Sequence, residues 1–349
     1  MNNKNQDLSH SAQGNKQECN SVLITGASGF IGSFIVSEAI RRGFDTWAAI
    51  RRNSSKEYLK DTRIKFIELD LNNPALLNKQ LSGHDFKYVI HAAGITKSID
   101  KEKFLSINAY GTANLAEAVM RNCSSLKRFV FMSSLSVMGP VHEKEPFIDI
   151  KSSDIAVPNT AYGRSKLVAE RMLSEIKGLP YIIIRPTGVY GPREKDYFMM
   201  FKSIKSHIDF AAGYSPQDLT FVYVDDVVQA VFLACDKGET GAKYAISDGQ
   251  VYSSTAFSEY IRRELDNTWI IRIKAPLWLL RIITYIGELI GRLTGKISAL
   301  NNDKYNILKQ RNWRCDITPA IKDLGYTPSV TLEEGVRKTA SWYKSNKWL

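Results

Sequence analysis

The residues that decide the fold are SVLITGASGFIG, which occupy positions 21–32 of the 349-residue chain. A run of apolar and β-branched residues leads into a turn with Gly26, Gly29 and Gly32, and apolar residues then recur at helical spacing from Ile31 to Ile40. This pattern predicts a strand, a tight turn and a helix. Because glycines let backbone N–H groups approach phosphate oxygens, and a helix N-terminus adds partial positive charge, the turn predicts a dinucleotide-binding site.

A tyrosine and a lysine stand four positions apart in the segment Tyr162-Gly-Arg-Ser-Lys166. On a helix, positions i and i+4 share a face, so the phenol and the ammonium converge on one reacting atom. A free tyrosine titrates near pH ~10, and a neighbouring cation favours its ionised form. The spacing therefore predicts that Tyr162 acts as a general acid and base and that Lys166 lowers its pKa.

Two further apolar segments end in small or hydroxylated residues. They are VIHAAG at positions 89–94 and FVFMSSLSVMG at positions 129–139. In open α/β sheets, ligands bind beyond the carboxyl ends of the strands. We therefore expect Ser134 to donate a hydrogen bond to a substrate oxygen beside Tyr162, with Ser133 and Ser136 as weaker candidates for that role.

Seven short motifs follow one another along the chain: TGASGFIG, HAAG, NAYGT, MSSLSVMG, YGRSK, RPTGVYGP and FVYVDD. Together they resemble the extended short-chain dehydrogenase/reductases, also called the NAD-dependent epimerase/dehydratase family. The resemblance implies an α/β, Rossmann-type fold, in which a doubly wound parallel sheet carries a smaller C-terminal substrate-binding lobe. It also implies an NAD(P)-dependent enzyme without a metal ion, with Ser134, Tyr162 and Lys166 as its catalytic residues.

The resemblance further implies a set of residues around a nicotinamide dinucleotide. Arg51 follows the predicted second strand, Asp45–Ile50, where NAD-preferring relatives carry an acidic residue for the ribose 2′-hydroxyl. Because the planar guanidinium of arginine matches a phosphate, we expect NADP(H), with NAD(H) as the alternative. The expected cofactor-binding residues are Gly26, Ser28, Gly29, Phe30, Ile31, Gly32, Arg51, Asp70, Leu71, Ala92, Ala93, Gly94, Asn108, Tyr162, Lys166, Pro186 and Val189.

Length and composition predict one large domain or two closely packed ones. We expect a disordered polar tail at 1–20, a dinucleotide-binding domain at 21–247 and a C-terminal substrate lobe at 248–349, with 186–218 also contributing to the lobe. The tail lacks the apolar run of a signal peptide, and the four cysteines show no disulfide or metal-binding pattern. These features favour a cytoplasmic location.

Two positions bear on the substrate. Nucleotide-sugar members of the family often carry an asparagine for the substrate phosphates in R-x-x-N-V-Y-G-P, and this chain has Gly188 there. Those members also tend to carry Arg-Asp where this chain has Leu219-Thr220. These segments are more similar to those of 3β-hydroxysteroid dehydrogenases, flavonoid ketone reductases and lipid ketoreductases.

We therefore expect interconversion of a ketone and a secondary alcohol on a small hydrophobic substrate, such as a 3-ketosphinganine-like lipid or a steroid. One alternative is a nucleotide-sugar epimerase or dehydratase with tightly bound NAD. The other is a non-catalytic nucleotide-binding subunit, against which the presence of Ser134, Tyr162 and Lys166 argues.

Residues 276–295 have the length of a membrane span, but they include three charged residues. Charges near the middle of a span are costly, so these residues argue against insertion across a bilayer. The apolar face must instead pack against the substrate lobe, a hydrophobic ligand, a partner or a membrane surface. At helical spacing the charged residues Arg281, Glu288 and Arg292 share a stripe with Thr284 and Tyr285.

The charge distribution indicates what the apolar face of this helix contacts. The formal net charge is +11, and residues 256–349 hold 16 basic and nine acidic residues together with five of the six tryptophans. This combination predicts peripheral contact with the inner face of an anionic membrane through a flap at 276–295, with Arg281, Arg292 and Lys296 as basic contacts. No nucleic-acid-binding module is recognisable, so nucleic acid is not an expected partner.

The resemblance also implies a homodimer that is formed by two helices from each subunit. In this chain they correspond to about 104–122 and 161–176. We expect Tyr110 and Leu115 on the exposed face of the first helix.

Overall fold

The computed structural model describes residues 20–295 and 301–349. The predicted N-terminal tail, apart from Asn20, and Lys296 lie outside these residues. The strands are β1 (Ser21–Thr25), β2 (Asp45–Ile50), β3 (Lys65–Glu68), β4 (Tyr88–His91), β5 (Arg128–Met132), β6 (Tyr181–Pro186), β7 (Gly188–Tyr190), β8 (Ile208–Ala212), β9 (Asp218–Leu219), β10 (Phe221–Tyr223), β11 (Lys243–Ile246), β12 (Tyr252–Ser253) and β13 (Ile271–Ala275).

The helices alternate with these strands in the first two thirds of the chain. They are α1 (Phe30–Arg41), α2 (Pro74–Leu81), α3 (Glu102–Phe104), α4 (Gly111–Asn122), α5 (Ala161–Glu175), α6 (Asp196–Lys205), α7 (Val224–Asp236), α8 (Ala256–Glu264), α9 (Leu277–Thr294), α10 (Asn302–Lys309) and α11 (Leu332–Ser345). A 3₁₀ turn covers Leu135–Val137, and π-helical segments cover Leu105–Tyr110 and Ala320–Leu324.

Seven parallel strands form the central sheet in the order β11-β6-β5-β4-β1-β2-β3. The order reverses between β1 and β4, and ligands bind at such a switch point in open α/β sheets. The predicted Rossmann-type α/β fold is therefore confirmed. The loops that follow β1 and β4 meet at this switch point and carry the first predicted binding residues.

Both faces of the sheet are covered because successive strand residues point to opposite sides. In β1, Val22 and Ile24 pack into one apolar core with α1 and α7, whereas Leu23 packs into a second core with α2, α4 and α5. Leu115 also belongs to this second core and is fully buried, so its predicted place on an exposed dimer face is wrong. Tyr110 is exposed.

A smaller lobe lies beyond the carboxyl end of β6. Its core joins β7, α6, β10, α8 and α11, and aromatic rings contribute most of its volume. Tyr190, at the end of β7, contacts the rings of Tyr197, Phe221, Tyr223 and Phe257. This aromatic core holds the C-terminal segment against the edge of the sheet at which the predicted site residues lie.

Helix α9 fills most of the predicted 276–295 segment, but its apolar face does not pack into the lobe. Leu280 and Thr284 are buried, whereas Ile282, Ile286 and Ile290 are exposed. Within the described residues, no helix has the length and hydropathy that crossing a bilayer requires.

Candidate active site

The glycine turn between β1 and α1 forms a cradle that no larger residue fits. Gly26 has a φ of +68°, and a Cβ on it would lie 2.6 Å from the carbonyl carbon of Ala92. A Cβ on Gly32 would lie 2.1 Å from the carbonyl oxygen of Gly26. Helix α1 begins after Gly29 without a side-chain cap or an acidic residue in its first turn. This end of α1 therefore fits the pyrophosphate of a dinucleotide.

The other predicted cofactor residues lie at the same edge of the sheet. Ser28 is in the turn, and Phe30 and Ile31 begin α1. Ala92, Ala93 and Gly94 follow β4, Pro186 ends β6, and Val189 lies in β7. Asp70 and Leu71 follow β3, and Asp70 accepts a hydrogen bond from the backbone of Asn72 at 3.0 Å. Arg51 follows β2 with an exposed side chain, and its backbone N–H donates to Ser54 Oγ at 3.0 Å.

His91 at the end of β4 organises the loop that carries Ala92–Gly94. Its Nδ1 lies 2.6 Å from Thr25 Oγ1, and its Nε2 lies 2.8 Å from Thr112 Oγ1. The Thr112 hydroxyl donates to the carbonyl of Asn108 at 2.7 Å, so it accepts from an Nε2–H of His91. Burial lowers the pKa of His91 to about 3, so the ring is neutral at pH 7.

Asn108 connects three parts of the site from a π-helical segment. Its side chain accepts from the Ile95 backbone N–H at 2.8 Å and donates to the Ile95 carbonyl at 2.9 Å. It also donates to Ser165 Oγ on α5 at 3.0 Å. A Cβ on Gly94 would lie 3.0 Å from Asn108 Oδ1 and 3.3 Å from Lys166 Nζ. Gly94 therefore lets another chain or a ligand approach these polar atoms closely.

Tyr162 and Ser134 are brought together by a helix start and a strand end. Thr160 caps α5 by accepting from the Gly163 N–H at 2.9 Å, which places Tyr162 in the first turn. Ser134 lies just after β5, where its Oγ accepts from the backbone N–H and the hydroxyl of Ser136. Ser134 is the polar side chain that interacts with the Tyr162 phenol. Burial raises the pKa of Tyr162 to about 12, and the interaction with Ser134 opposes that increase.

Lys166 occupies the same face of α5 but is directed towards the sheet. Its Nζ donates to the Met132 carbonyl at 2.8 Å and lies 4.6 Å from the centre of the Phe131 ring. Burial lowers the pKa of Lys166 to about 8, against the attraction of the Glu170 carboxylate. The expected lowering of the Tyr162 pKa by Lys166 is therefore wrong for this arrangement, in which burial dominates and keeps the phenol neutral.

Ser133 has a structural partner instead of a place beside Tyr162. Its hydroxyl donates to Glu170 Oε1 at 2.6 Å, and Arg185 Nε donates to the same oxygen at 3.0 Å. Arg185 Nη2 donates to the other oxygen of Glu170 at 2.5 Å. All three side chains are buried. Glu170 was not predicted as part of the site, although its position four residues after Lys166 places it on the same helix face.

Tyr162 lines one cavity, and a second, larger cavity lies next to it. Most of the residues that line the smaller one, of about 360 Å³, are of polar or charged types. The larger one, of about 620 Å³, is lined mainly by apolar and aromatic side chains. Asp196, Met199, Lys304 and Ile307 line both cavities. The polar groups of the smaller chamber come from Thr96, Lys97, Ser98, Lys101, Thr160, Tyr162, Asp196, Glu288, Asn301, Asn302, Asp303 and Lys304.

Carboxylates outnumber cations in the larger cavity. Among the described residues, Glu194, Asp196 and Asp209 line it together with one basic residue, Lys304. A Cβ on Gly188 would lie 2.5 Å from the Tyr197 hydroxyl and 3.2 Å from the Phe221 ring. The space for a phosphate-binding asparagine is therefore filled by aromatic residues, and the cavity is better suited to an apolar group than to a diphosphate.

Comparison with known proteins gives consistent family relationships. The chain is 27% identical to the UDP-glucose 4-epimerase of Vibrio cholerae, over 94% of this chain and 96% of that protein. It is 28% identical to 3beta-hydroxysteroid-dehydrogenase/decarboxylase isoform 1 of Arabidopsis thaliana, over 91% of this chain and 78% of the relative. Among solved structures, MoeE5 in complex with UDP-glucuronic acid and NAD has a TM-score of 0.72 at 25% identity, covering 93% of this chain and 99% of that one.

The sequence matches the NAD dependent epimerase/dehydratase family over residues 22–247, which include the glycine cradle, Ser134, Tyr162 and Lys166. This match confirms the expectation of an enzyme. The chain therefore belongs to the NAD dependent epimerase/dehydratase family, whose members are extended short-chain dehydrogenase/reductases.

Proposed function

We propose that this enzyme epimerises a sugar by oxidising and re-reducing one ring carbon on a cofactor that stays bound. The observation that carries this function is the chamber of about 360 Å³ beside Tyr162, most of whose lining residues are of types that carry hydroxyl, amide, ammonium or carboxylate groups. Such groups match the many hydroxyls of a sugar ring. The UDP-sugar epimerases among the relatives support the same reaction.

The residues of this chain manage the proton on the reacting oxygen. When bound, a nicotinamide cofactor supplies the reversible hydride exchange with the carbinol carbon. Tyr162, a neutral phenol with a pKa of about 12, is the donor and acceptor of that proton, and Ser134 orients the phenol and the substrate oxygen. Lys166 carries its charge below pH about 8 and would hold the ribose hydroxyls of the nicotinamide half.

The cofactor would lie along the carboxyl edge of the sheet, with its pyrophosphate on the cradle of Gly26, Gly29 and Gly32. Arg51 is exposed just after β2, and a guanidinium at this point of the fold would favour a 2′-phosphate. We therefore propose NADP(H) as the preferred form. The NAD that is bound in MoeE5 supports the alternative.

Reduction of a ketone on a hydrophobic substrate is the second candidate function. It is favoured by the larger cavity, of about 620 Å³, whose lining is mainly apolar. The contact that a side chain on Gly188 would make with Tyr197 also leaves no room for an asparagine that binds a diphosphate. The 3beta-hydroxysteroid-dehydrogenase/decarboxylase of Arabidopsis thaliana is a relative whose name indicates a hydrophobic substrate of this kind.

One experiment separates the two functions. The purified enzyme is incubated with UDP-hexoses and, in parallel, with steroid and long-chain ketones, while NAD(P)H absorbance and product stereochemistry are followed. Epimerisation gives a new sugar isomer without net NAD(P)H consumption, whereas ketone reduction consumes one NAD(P)H for each alcohol formed. Loss of NADPH with a ketone, without any sugar interconversion, would replace the first function by the second.

The matched variants are Tyr162→Phe at the site and Tyr110→Phe on the exposed surface of the π-helical segment. Loss of the Tyr162 hydroxyl should reduce kcat by about 10²- to 10⁴-fold, which is the usual contribution of an acid–base group. Cofactor affinity should change little in either variant. Full activity of Tyr162→Phe would exclude Tyr162 as the proton-transfer group.

A further inference from the structure

Helix α9 is amphipathic in the reverse sense to an ordinary surface helix. Its buried side contains Leu280, Thr284 and Gly291, and Glu288 on this side lies 3.7 Å from Lys101. A helix on a soluble protein normally turns its apolar stripe to the core. Here the residues that recur at helical spacing on the outward face are all large and apolar: Leu279, Ile282, Ile283, Ile286, Leu289, Ile290 and Leu293.

The exposed apolar surface continues from α9 onto the two-stranded sheet before it. In the parallel pair β8–β13, Ile273 is opposite Phe210 and both side chains are exposed. A Cβ on Gly213, just after β8, would contact Leu277, so the sheet and the helix adjoin. Of the 25 exposed large hydrophobic residues in the described chain, 13 fall within residues 269–293, which we call the apolar patch. Such a concentration marks an interaction surface.

The outward charges of the apolar patch are basic. Lys274 and Arg281 are exposed, whereas the carboxylate of Glu288 is directed towards Lys101. Arg272 is held by Asp209 at 2.7 Å. Trp278 and Tyr285 are each 65% exposed on the same side of the helix as Arg281. The Arg292 side chain lies outside the described residues, as does Lys296.

We propose that the apolar patch docks on an anionic lipid bilayer, with α9 lying in the plane of the membrane surface. The apolar side chains enter the boundary between headgroups and acyl chains, and the basic residues face anionic headgroups. Trp and Tyr side chains favour this boundary because they combine an apolar ring with a polar group. A bilayer fits better than a protein partner because the patch joins a continuous apolar face to charges of one sign.

Docking would also hold the chamber beside Tyr162 close to the membrane surface. The opposite side of the same helix, through Glu288 and Gly291, lines the chamber beside Tyr162. A bilayer against the outward face of α9 therefore lies one helix diameter, about 10 Å, from the chamber. This arrangement suits either candidate function, and it holds whether the reacting group is a sugar or a ketone.

Vesicle sedimentation tests this docking on the full-length protein. Wild type is mixed with phosphatidylcholine vesicles that contain or lack 30 mol% phosphatidylglycerol, at low salt and at 0.5 M NaCl. We expect binding to the anionic vesicles at low salt and weaker binding at high salt, because charge interactions are screened. Protein that stays in the supernatant with both vesicle types at low salt would overturn the proposal.

Two pairs of variants identify the surface. Ile282→Ser/Ile286→Ser in the apolar patch is compared with Ile155→Ser, which removes an apolar side chain that is 84% exposed elsewhere. Lys274→Glu/Arg281→Glu is compared with Lys79→Glu on the exposed side of α2. Each patch variant should weaken anionic-vesicle binding by about tenfold or more, while both controls bind like wild type. Equal binding by all variants would place the contact elsewhere and overturn the proposal.

Light scattering separates lipid docking from self-association through the same residues. If the apolar patch instead joined two copies of the chain, wild type would be a dimer that does not bind vesicles. Ile282→Ser/Ile286→Ser would then be a monomer. That result would overturn the proposal in favour of a dimer interface. Because the altered side chains are exposed, circular dichroism spectra and thermal midpoints should match those of wild type.

Discussion

At the edge of the larger cavity, the Tyr197 hydroxyl occupies the space that a side chain on Gly188 would need. A Cβ on Gly188 would lie 2.5 Å from this hydroxyl. Gly188→Asn should therefore overpack the cavity wall and lower the free energy of unfolding by about 1–3 kcal/mol. Tyr197→Phe removes the obstructing oxygen, so Gly188→Asn/Tyr197→Phe should recover part of that loss. Urea denaturation of the two single variants and the double variant measures this coupling.

The same three variants test which kind of substrate group the larger cavity binds. If the cavity takes the apolar part of a substrate, neither variant should improve turnover of a UDP-sugar. A UDP-hexose that binds more tightly to Gly188→Asn/Tyr197→Phe than to wild type would show that the cavity accommodates a diphosphate once an asparagine is present.

Glu170 and Arg185 form a buried ion pair one helical turn beyond Lys166, with their closest contact at 2.5 Å. Glu170→Ala leaves the Arg185 guanidinium buried without its carboxylate, so it should lower the free energy of unfolding by about 3–5 kcal/mol. Glu170→Met/Arg185→Met removes both charges and should cost much less than Glu170→Ala. Guanidinium-chloride denaturation compares them, and equal losses would show that the ion pair itself provides the stability.

His91 should make the enzyme sensitive to mild acid. Burial lowers its native pKa to about 3 from an ordinary 6.5, so the unfolded chain binds more protons between these values. Stability is therefore lost as the pH falls below 6.5, and by pH 5 this group accounts for roughly 2 kcal/mol. His91→Gln lacks this group, so its unfolding free energy should fall less than that of wild type between pH 7 and pH 5. Parallel slopes for the two proteins would contradict the assignment of a neutral, buried ring.

The central sheet, and the placement of Tyr162 and Lys166 on one helix, could be predicted from the sequence because both depend on local patterns. The strand, glycine turn and helix at 21–40 are encoded in adjacent residues, and Tyr162 and Lys166 lie on one helical face. Because Glu170 follows Lys166 by four residues, the same spacing places it on this helical face. Arg185 was also detectable, since a charge within the apolar strand YIIIRP requires a buried partner.

The orientation of a helix was not predictable in the same way. A hydropathy pattern divides α9 into a polar stripe and an apolar face, but it does not specify which of them faces the protein. In α9 only part of the polar stripe faces the protein: Thr284 is buried and Glu288 lies near Lys101, whereas Arg281 and Tyr285 are exposed. In α4, Leu115 faces the sheet, because the helices on this side must cover the apolar face of the sheet. The pKa of Tyr162 depends on burial, which the spacing of two residues does not reveal.

Lys166 should reduce the stability of the enzyme at neutral pH. Burial lowers its native pKa to about 8, against an ordinary value of 10.5, so between these values the unfolded chain binds more protons than the native state. The cost of the buried ammonium is fully present below pH 8 and disappears as the pH rises to 10.5. Because Lys166 is only 4% exposed, solvent screens this effect little. The pKa shift corresponds to a loss of roughly 3 kcal/mol in the free energy of unfolding below pH 8.

Lys166→Met removes this titration while retaining most of the side-chain volume. The unfolding free energy of wild type should therefore rise relative to that of Lys166→Met by roughly 3 kcal/mol between pH 8 and pH 10.5. Urea denaturation at intervals of half a pH unit measures the difference, and all other titrating groups are common to both proteins. Lys166→Met should be inactive at every pH, whereas the exposed control Lys79→Met should follow wild type in both activity and stability. A constant difference between wild type and Lys166→Met across this range would show that Lys166 titrates in the native state as it does in water.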